Sequence, residues 1–409
     1  MGSERRPFMG WKESDRVSER REFCCLYEAG GVSMTELCRR FSVSRKTGYK
    51  WINRRSEGGD EALVDRSRRP HYSPGKTCAF VESEVVALRR EHPTWGGRKL
   101  KRVLESRGVE NVPSASSITR VLHRHGLISP LESEKHRNFK RFEMEAPNDL
   151  WQIDFKGDFA LAGGGRCYPL TLLDDCSRYS LGVFACDNQR GTTVKDHFRS
   201  VFFRYGIPRA IYVDNGNPWG TSRKRTRHSR VSVWLMRHDI EVIHGRPYHP
   251  QGRGKIERFH RTLKQEVLQD RQLEGLADAQ AAFDPWRDCY NHVRPHESLD
   301  MAVPASIYRS SIRSFAEVTS EYQYSERFEV RRTNPTGQFS FQKKTYRISD
   351  AFTEQAIGLS PTETDGLWDI YYCRFRIAQL NQQTREITYD RRLAESRSAR
   401  SGQTAESGS

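Results

Sequence analysis

Trp151-Gln-Ile-Asp154-Phe155 alternates: Trp151, Ile153 and Phe155 share one face of a strand, Gln152 and Asp154 the other. An aspartate in mid-strand among aromatic neighbours has no evident partner nearby in sequence, and a buried charge needs one. Working outward, Cys167–Leu173 and Tyr179–Cys186 read as two further strands around the turn Asp174-Asp-Cys-Ser177. Helical patterns follow at 192–205, 229–237, 254–270 and 276–292, and Ala210-Ile-Tyr-Val213 is a short apolar strand ending on Asp214-Asn-Gly216. Strands first, then strand–helix alternation, indicates a mixed sheet with helices packed on it, over about 148–312.

Two more acids sit where such a sheet presents side chains to a cleft. Asp214 follows a buried strand, and Glu257 opens a helix after His249-Pro-Gln-Gly-Arg-Gly254. On that helix Ile256, Phe259, His260, Leu263 and Val267 form the core-facing stripe, with Glu257, Arg261 and Lys264 beside it. Each acid also has a plain structural reading: Asp214-Asn-Gly as an ordinary turn, Glu257 as a charge complementing a helix N-terminus. Three carboxylates in one dry pocket would protonate or take a divalent cation. Oxygen ligands without a Cys or His cluster favour Mg2+ or Mn2+. Between Asp214 and Glu257 the acids are Asp239 and Glu241, whereas the cations include Arg223, Lys224, Arg225, Arg227, Arg230, Arg237, Arg246, Arg253 and Lys255. So cationic a stretch reads as a phosphate track.

The whole chain shares this bias. Its 409 residues carry 68 Lys and Arg against 52 Asp and Glu, a formal net charge of +16 that points to a polyanionic partner. Mean hydropathy is −0.79 and no run is long and apolar enough to span a membrane. Met1–Arg6 has no apolar run, so no leader peptide is expected. The nine cysteines include no Cys-x-x-Cys, which argues against a zinc ribbon or disulfide framework and for free thiols in a cytoplasm.

The first third is helical and basic. Residues 16–29 form a helix; Ser33 caps a second through Phe41, and Ser44 caps a third through Arg54. Short helices around a tight turn are the helix-turn-helix pattern. The third helix would offer Arg45, Lys46 and Thr47 to phosphates and base edges, with Val43, Tyr49 and Trp51 holding it to its core. After a polar linker (59–78), helices at 80–91, 98–107 and 114–125, the last capped by Ser114, suggest a second helix-turn-helix unit over 79–127. Residues 128–147 read as another linker. Five short strands between 323 and 385 suggest a small β-barrel, and 391–409 a disordered tail. The expected chain is thus multidomain: an all-α DNA-binding domain (1–58), a second helical unit, a central α/β sheet and a C-terminal barrel.

The ordered set Trp151-Gln-Ile-Asp154, Val213-Asp214-Asn-Gly-Asn-Pro-Trp219, Gly245-Arg-Pro-Tyr-His-Pro-Gln251 and Gly254-Lys-Ile-Glu257-Arg-Phe-His-Arg-Thr-Leu-Lys264 resembles the integrase catalytic core of DDE transposases. It is most similar to bacterial insertion-sequence transposases related to retroviral integrases. Tyr290-Asn-His-Val-Arg-Pro-His-Glu-Ser-Leu299 and Pro304-Ala-Ser-Ile-Tyr308 resemble that group's helices after the core. The resemblance implies a ribonuclease-H-like fold, with Asp154, Asp214 and Glu257 as the catalytic, metal-binding triad for two Mg2+ (or Mn2+) ions. It implies hydrolysis at the element ends, then strand transfer into target DNA, with no covalent enzyme–DNA intermediate. By the same analogy Lys264 contacts the element-end backbone, with Arg258, Arg261 and the Arg223, Lys224, Arg225, Arg227 segment as further DNA contacts. The expected partners are double-stranded DNA (terminal inverted repeats and target) and a second copy of the chain, in a homodimer or higher oligomer. No membrane is involved, and a bacterial cytoplasm, at the nucleoid, is the expected location.

Two features depart from integrase relatives. The Asp214–Glu257 interval is long, which the Arg223–Arg230 segment accounts for, and the N-terminus lacks a His/Cys zinc module, leaving end recognition to the helix-turn-helix units. The same residues admit two rivals: a catalytically silent, sequence-specific DNA-binding regulator, and a structure-specific nuclease on the same fold.

Overall fold

The structure is a computed structural model that describes residues 16–66, 77–128, 144–220, 228–245, 254–269 and 271–389. The chain divides into two compact units, Met1–Lys76 and Thr77–Ser409. The Arg223–Arg227 segment, the 246–253 loop, most of the 128–147 linker and the 391–409 tail lie outside the described residues.

In the first unit α1 (Arg16–Glu28), α2 (Met34–Arg40) and α3 (Arg45–Gly58) pack around Phe23, Leu37, Trp51 and Leu63. The expected caps form: Ser33 accepts from Glu36 N, and Ser44 from Thr47 N. Gly48 lets α3 approach closely, because a Cβ there would lie 2.8 Å from Phe23 Cζ and 3.0 Å from Cys38 Sγ. Two readings change. Tyr49 is 42% exposed rather than in the core; it sits one residue beyond the buried Gly48, which turns it outward. The unit also extends past 58. A short turn at Asp60–Leu63 buries Leu63, and Arg20 Nη1 donates to Leu63 O at 2.8 Å, so the linker begins later than the composition suggested.

The second unit opens with α4 (Ala79–Glu91), α5 (Gly97–Ser106) and α6 (Ala115–Arg124), packed around Val85, Trp95, Leu100, Leu104, Ile118 and Leu122. Ser114 caps α6 as expected, accepting from Ser117 N.

The central sheet contains β1 (Leu150–Phe155), β3 (Arg166–Asp174), β4 (Ser180–Cys186), β5 (Ala210–Val213) and β6 (Glu241–His244), with a short β2 (Phe159–Ala160) against the start of β3. β4 pairs β3 and β3 pairs β1, both antiparallel; β1 pairs β5 and β5 pairs β6, both parallel. Alternation separates two cores. Trp151, Ile153, Ile211 and Val213 pack on one side with α7 (Gly191–Tyr205) and α8 (Arg230–Arg237). Leu173 and Val183 pack on the other with α9 (Gly254–Leu263) and α10 (Leu276–His292), through Phe259, Leu263 and Phe283. The helix expected over 254–270 leaves the α-helical path after Leu263 and runs through a π-turn, Lys264–Leu268.

The C-terminal region is β-rich but the expected barrel is not closed. β13 (Glu386–Thr388), β12 (Phe375–Asn381), β11 (Leu367–Tyr372), β10 (Ala356–Pro361) and β7 (Glu329–Arg332) form a five-stranded antiparallel sheet in that order; β8 (Gln338–Phe341) and β9 (Lys344–Arg347) make a separate hairpin. Its core includes Val233 and Met236 of α8, so this sheet packs on the central domain.

Candidate active site

β1 and β5 run parallel in a register that sets Gln152 opposite Tyr212. Carried two residues further, that register sets Asp154 level with Asp214, on neighbouring strands about 5 Å apart. Both lie on the face opposite the buried Trp151, Ile153, Ile211 and Val213, the face that α9 covers. Part of the turn reading is also realised: Asp214 Oδ1 accepts from Gly216 N at 3.0 Å, closing an Asx turn, while Asn215 Nδ2 donates to Gly245 O at 2.7 Å.

Glu257 stands on the exposed side of the first turn of α9. Its helix is fastened beside Asp154. Ile256 N donates to Gln152 Oε1 at 3.3 Å, and the Gln152 amide donates to Asp175 Oδ1 at 2.7 Å. Asp175 also accepts from Met144 N at 3.0 Å and pairs with Lys255. One turn along, His260 Nε2 meets Thr171 Oγ1 at 2.7 Å, and Thr171 Oγ1 donates to Asp154 O at 2.8 Å. Since the hydroxyl proton is committed to Asp154, Nε2 of His260 is the donor in that pair. The neighbouring Asp174 is satisfied separately, by Ser177 N and Oγ and by Asn148 N; burial pushes its carboxyl up.

Among the described residues no three His, Cys, Asp or Glu side chains form a group that could hold a metal ion as they stand. Asp154 thus lies on β1 and Asp214 directly after the neighbouring β5, whereas Glu257 is placed on the adjoining helix. Carboxylate oxygens without sulfur or clustered imidazole remain the right donor chemistry for a hard divalent cation.

Of the expected DNA contacts, Arg258, Arg261 and Lys264 are exposed along α9 and its π-turn. Lys264 has a neighbour that the sequence did not single out: Lys156, two residues past Asp154, is lowered by burial and then by the charge of Lys264. Arg45 and Lys46 are exposed at the start of α3 and Thr47 is half-buried. Arg223, Lys224, Arg225 and Arg227 lie outside the described residues.

The second helical unit is docked on the back of this region. Glu266, in the π-turn, accepts from Thr94 Oγ1 at 2.7 Å, Trp286 Nε1 at 2.8 Å and Arg294 Nε at 3.4 Å. Cys289 of α10 packs into the core of α4–α6. Lys99 of α5 lies close to Arg294, Glu266, Glu297 and Arg258, and burial lowers it to about 8.

Sequence reasoning did not single out Gln152, Asp175, Lys255, His260 or Glu266 as a supporting framework. The available signal was Gln152, a polar residue on the same strand face as Asp154. Asp175 read as a turn residue, and its partner lies 80 positions away.

Comparison with known proteins agrees along most of the chain. The integrase core domain family matches residues 144–250 and, through a second family of that description, 238–304. Homeodomain-like families match 15–64 and 47–122, and the IS481 family transposase C-terminal domain matches 328–388. An uncharacterized 39.2 kDa protein of insertion element IS476 from Xanthomonas euvesicatoria is 30% identical over 240 residues, covering 57% of this chain and 65% of the relative. An uncharacterized 31.7 kDa protein of insertion element IS407 from Burkholderia multivorans is 28% identical over 271 residues, 64% of this chain and 93% of the relative. The transposase for insertion sequence element IS904 from Lactococcus lactis is 23% identical over 243 residues, 55% of this chain and 92% of the relative.

Proposed function

We propose that this chain, a member of the integrase-family transposases of bacterial insertion sequences, binds the two ends of its own element and joins them to target DNA by phosphoryl transfer. The observation that supports the reading is the parallel pairing of β1 with β5, Gln152 opposite Tyr212, two residues before Asp154 and Asp214, beside the helix that bears Glu257. Asp154, Asp214 and Glu257 are the residues that would hold two Mg2+ or Mn2+ ions. Bound there, the ions would offset the carboxylate charges and stabilise charge developing on the phosphodiester. The protein's own cations do the positioning. Lys264, Arg261 and Arg258 grip backbone phosphates along one edge of the site, and the cations of the Arg223–Arg227 segment add further phosphate contacts.

Two displacements follow. Water attacks the phosphorus at an element end, the 3′ oxygen leaves, and it takes a proton. That 3′ hydroxyl then attacks a target phosphodiester, forming one P–O bond as the target strand's own 3′ oxygen departs. Because two ends must be joined in one event, the working form is a homodimer or larger assembly on double-stranded DNA. The helical units of residues 1–58 and 79–127 read the terminal repeats, the 148–312 core does the chemistry, and the 323–385 β-region supports it. The site of action is the bacterial cytoplasm, at the nucleoid.

The test uses purified protein, Mg2+ and DNA carrying the inverted repeats that flank its gene. Nicking and joining are expected. Asp154→Asn, Asp214→Asn and Glu257→Gln each abolish both steps and leave end binding largely intact. Full activity in any of the three, or cutting without a divalent metal, overturns the assignment. Cutting with no joined product transfers it to a nuclease.

A further inference from the structure

We propose that Gln152, Asp175 and Lys255 form a clamp that positions Glu257 against Asp154, with Gln152 acting as a helix cap supplied by a distant strand. This inference rests on the proposed function, since it concerns the same site.

The first backbone N–H groups of a helix have no partner within it. A neighbouring Ser, Thr, Asp or Asn side chain usually satisfies one of them. For α9 the Ile256 N–H instead goes to Gln152 Oε1 at 3.3 Å, across 104 positions of sequence. Gln152 is two residues before Asp154, and Ile256 is one residue before Glu257. One side chain therefore bridges the backbones that carry two of the three proposed ligands.

Gln152 is itself held. Its amide nitrogen donates to Asp175 Oδ1 at 2.7 Å, which fixes which end of the side chain faces α9. The other oxygen of Asp175 takes Lys255 and Met144 N. Lys255 is also next to Ile256, so α9 is tied to the sheet by two consecutive residues, one through its backbone and one through its charge. Gln152 is 2% exposed and Asp175 1%; the Lys255 side chain is 14% exposed. A buried carboxylate with three donors does not move freely, because every alternative position leaves a polar group unpaired. Lys255 faces inward to Asp175, whereas Arg258 and Arg261 on the same helix, and Lys264 just after it, are exposed.

The experiment uses full-length protein and the variants Gln152→Leu, Lys255→Met and Lys255→Arg. Mn2+ binding is measured by calorimetry without DNA, alongside end binding, cleavage against Mn2+ concentration, and amide hydrogen exchange. Gln152→Leu and Lys255→Met are expected to weaken Mn2+ binding about tenfold or more and to raise the Mn2+ needed for half-maximal cleavage. End binding stays near that of the parent, and Lys255→Arg recovers most of the metal affinity. α9 amides exchange faster in Gln152→Leu than in the parent while β1 is unchanged. Variants that melt earlier yet bind Mn2+ like the parent overturn the proposal, since the network would then only hold the fold together. A parent protein that neither cuts nor joins counts against the proposed function instead. In that case α9 exchange decides the clamp: faster exchange in Gln152→Leu supports it, and unchanged exchange overturns it.

Discussion

Gly48 and Tyr49 are adjacent, and the structure asks opposite things of them. Adding a methyl at Gly48 brings it within 2.8 Å of Phe23 and 3.0 Å of Met34 and Cys38, all packed across the α1–α2–α3 core. Gly48→Ala should therefore cost about 1–3 kcal/mol through overpacking, partly offset by the better helix propensity of alanine. A fall in the urea midpoint of a fragment covering the first unit would show it. Tyr49→Ala should leave that midpoint nearly unchanged and weaken end-DNA binding, because the ring is exposed beside Arg45 and Lys46. The capping serines 33, 44 and 114 were legible because a cap is local chemistry. The outward turn of Tyr49 was not, because it depends on which neighbour of a buried glycine faces α1 and α2.

The element with most consequence is α9 with its π-turn. Ile256, Phe259, Leu263 and Val267 keep helical spacing straight through the change of pitch. Hydrophobic periodicity therefore predicts one continuous helix and cannot reveal the turn. Strand β1 was legible for the opposite reason: it alternates with period two, Trp151, Ile153 and Phe155 against Gln152 and Asp154. β6 and β13 escaped because strands of three or four residues with mixed polarity carry little pattern. Lys264 begins the π-turn and lies near Lys156. Lys264→Ala should reduce the slope of log affinity against log salt by about one unit for end DNA, with similar loss on unrelated sequences. An unchanged slope in a filter-binding titration across salt would remove its phosphate role.

At the scale of the second unit, Glu266 and Cys289 join the α4–α6 bundle to the catalytic core. Glu266→Gln should loosen this joint: an amide cannot accept from Thr94, Trp286 and Arg294 as two carboxylate oxygens do. Faster hydrogen exchange across α4–α6 and an earlier melt would record it; exchange identical to the parent would place the joint elsewhere. Acid acts on the same region. His296 is buried, and burial first, then Arg294 and Lys99, hold its pKa down to about 2. An unfolded histidine titrates near 6.5, so the unfolded chain takes up a proton that the fold refuses. This contribution is intact above about pH 6.5 and is lost by about 1.4 kcal/mol for each unit below it. The midpoint of urea unfolding should fall between pH 7 and pH 5, and His296→Gln should flatten that dependence.

Side-chain contacts, rather than the polypeptide alone, hold α4–α6 to the core; with α4–α6 reading the terminal repeat as proposed, the distance from a bound repeat to the cut is gauged by an interface and not by a tether. Inserting a few Gly-Ser pairs between residues 128 and 144 should therefore leave the position of strand scission unmoved, even though the covalent connection has grown longer.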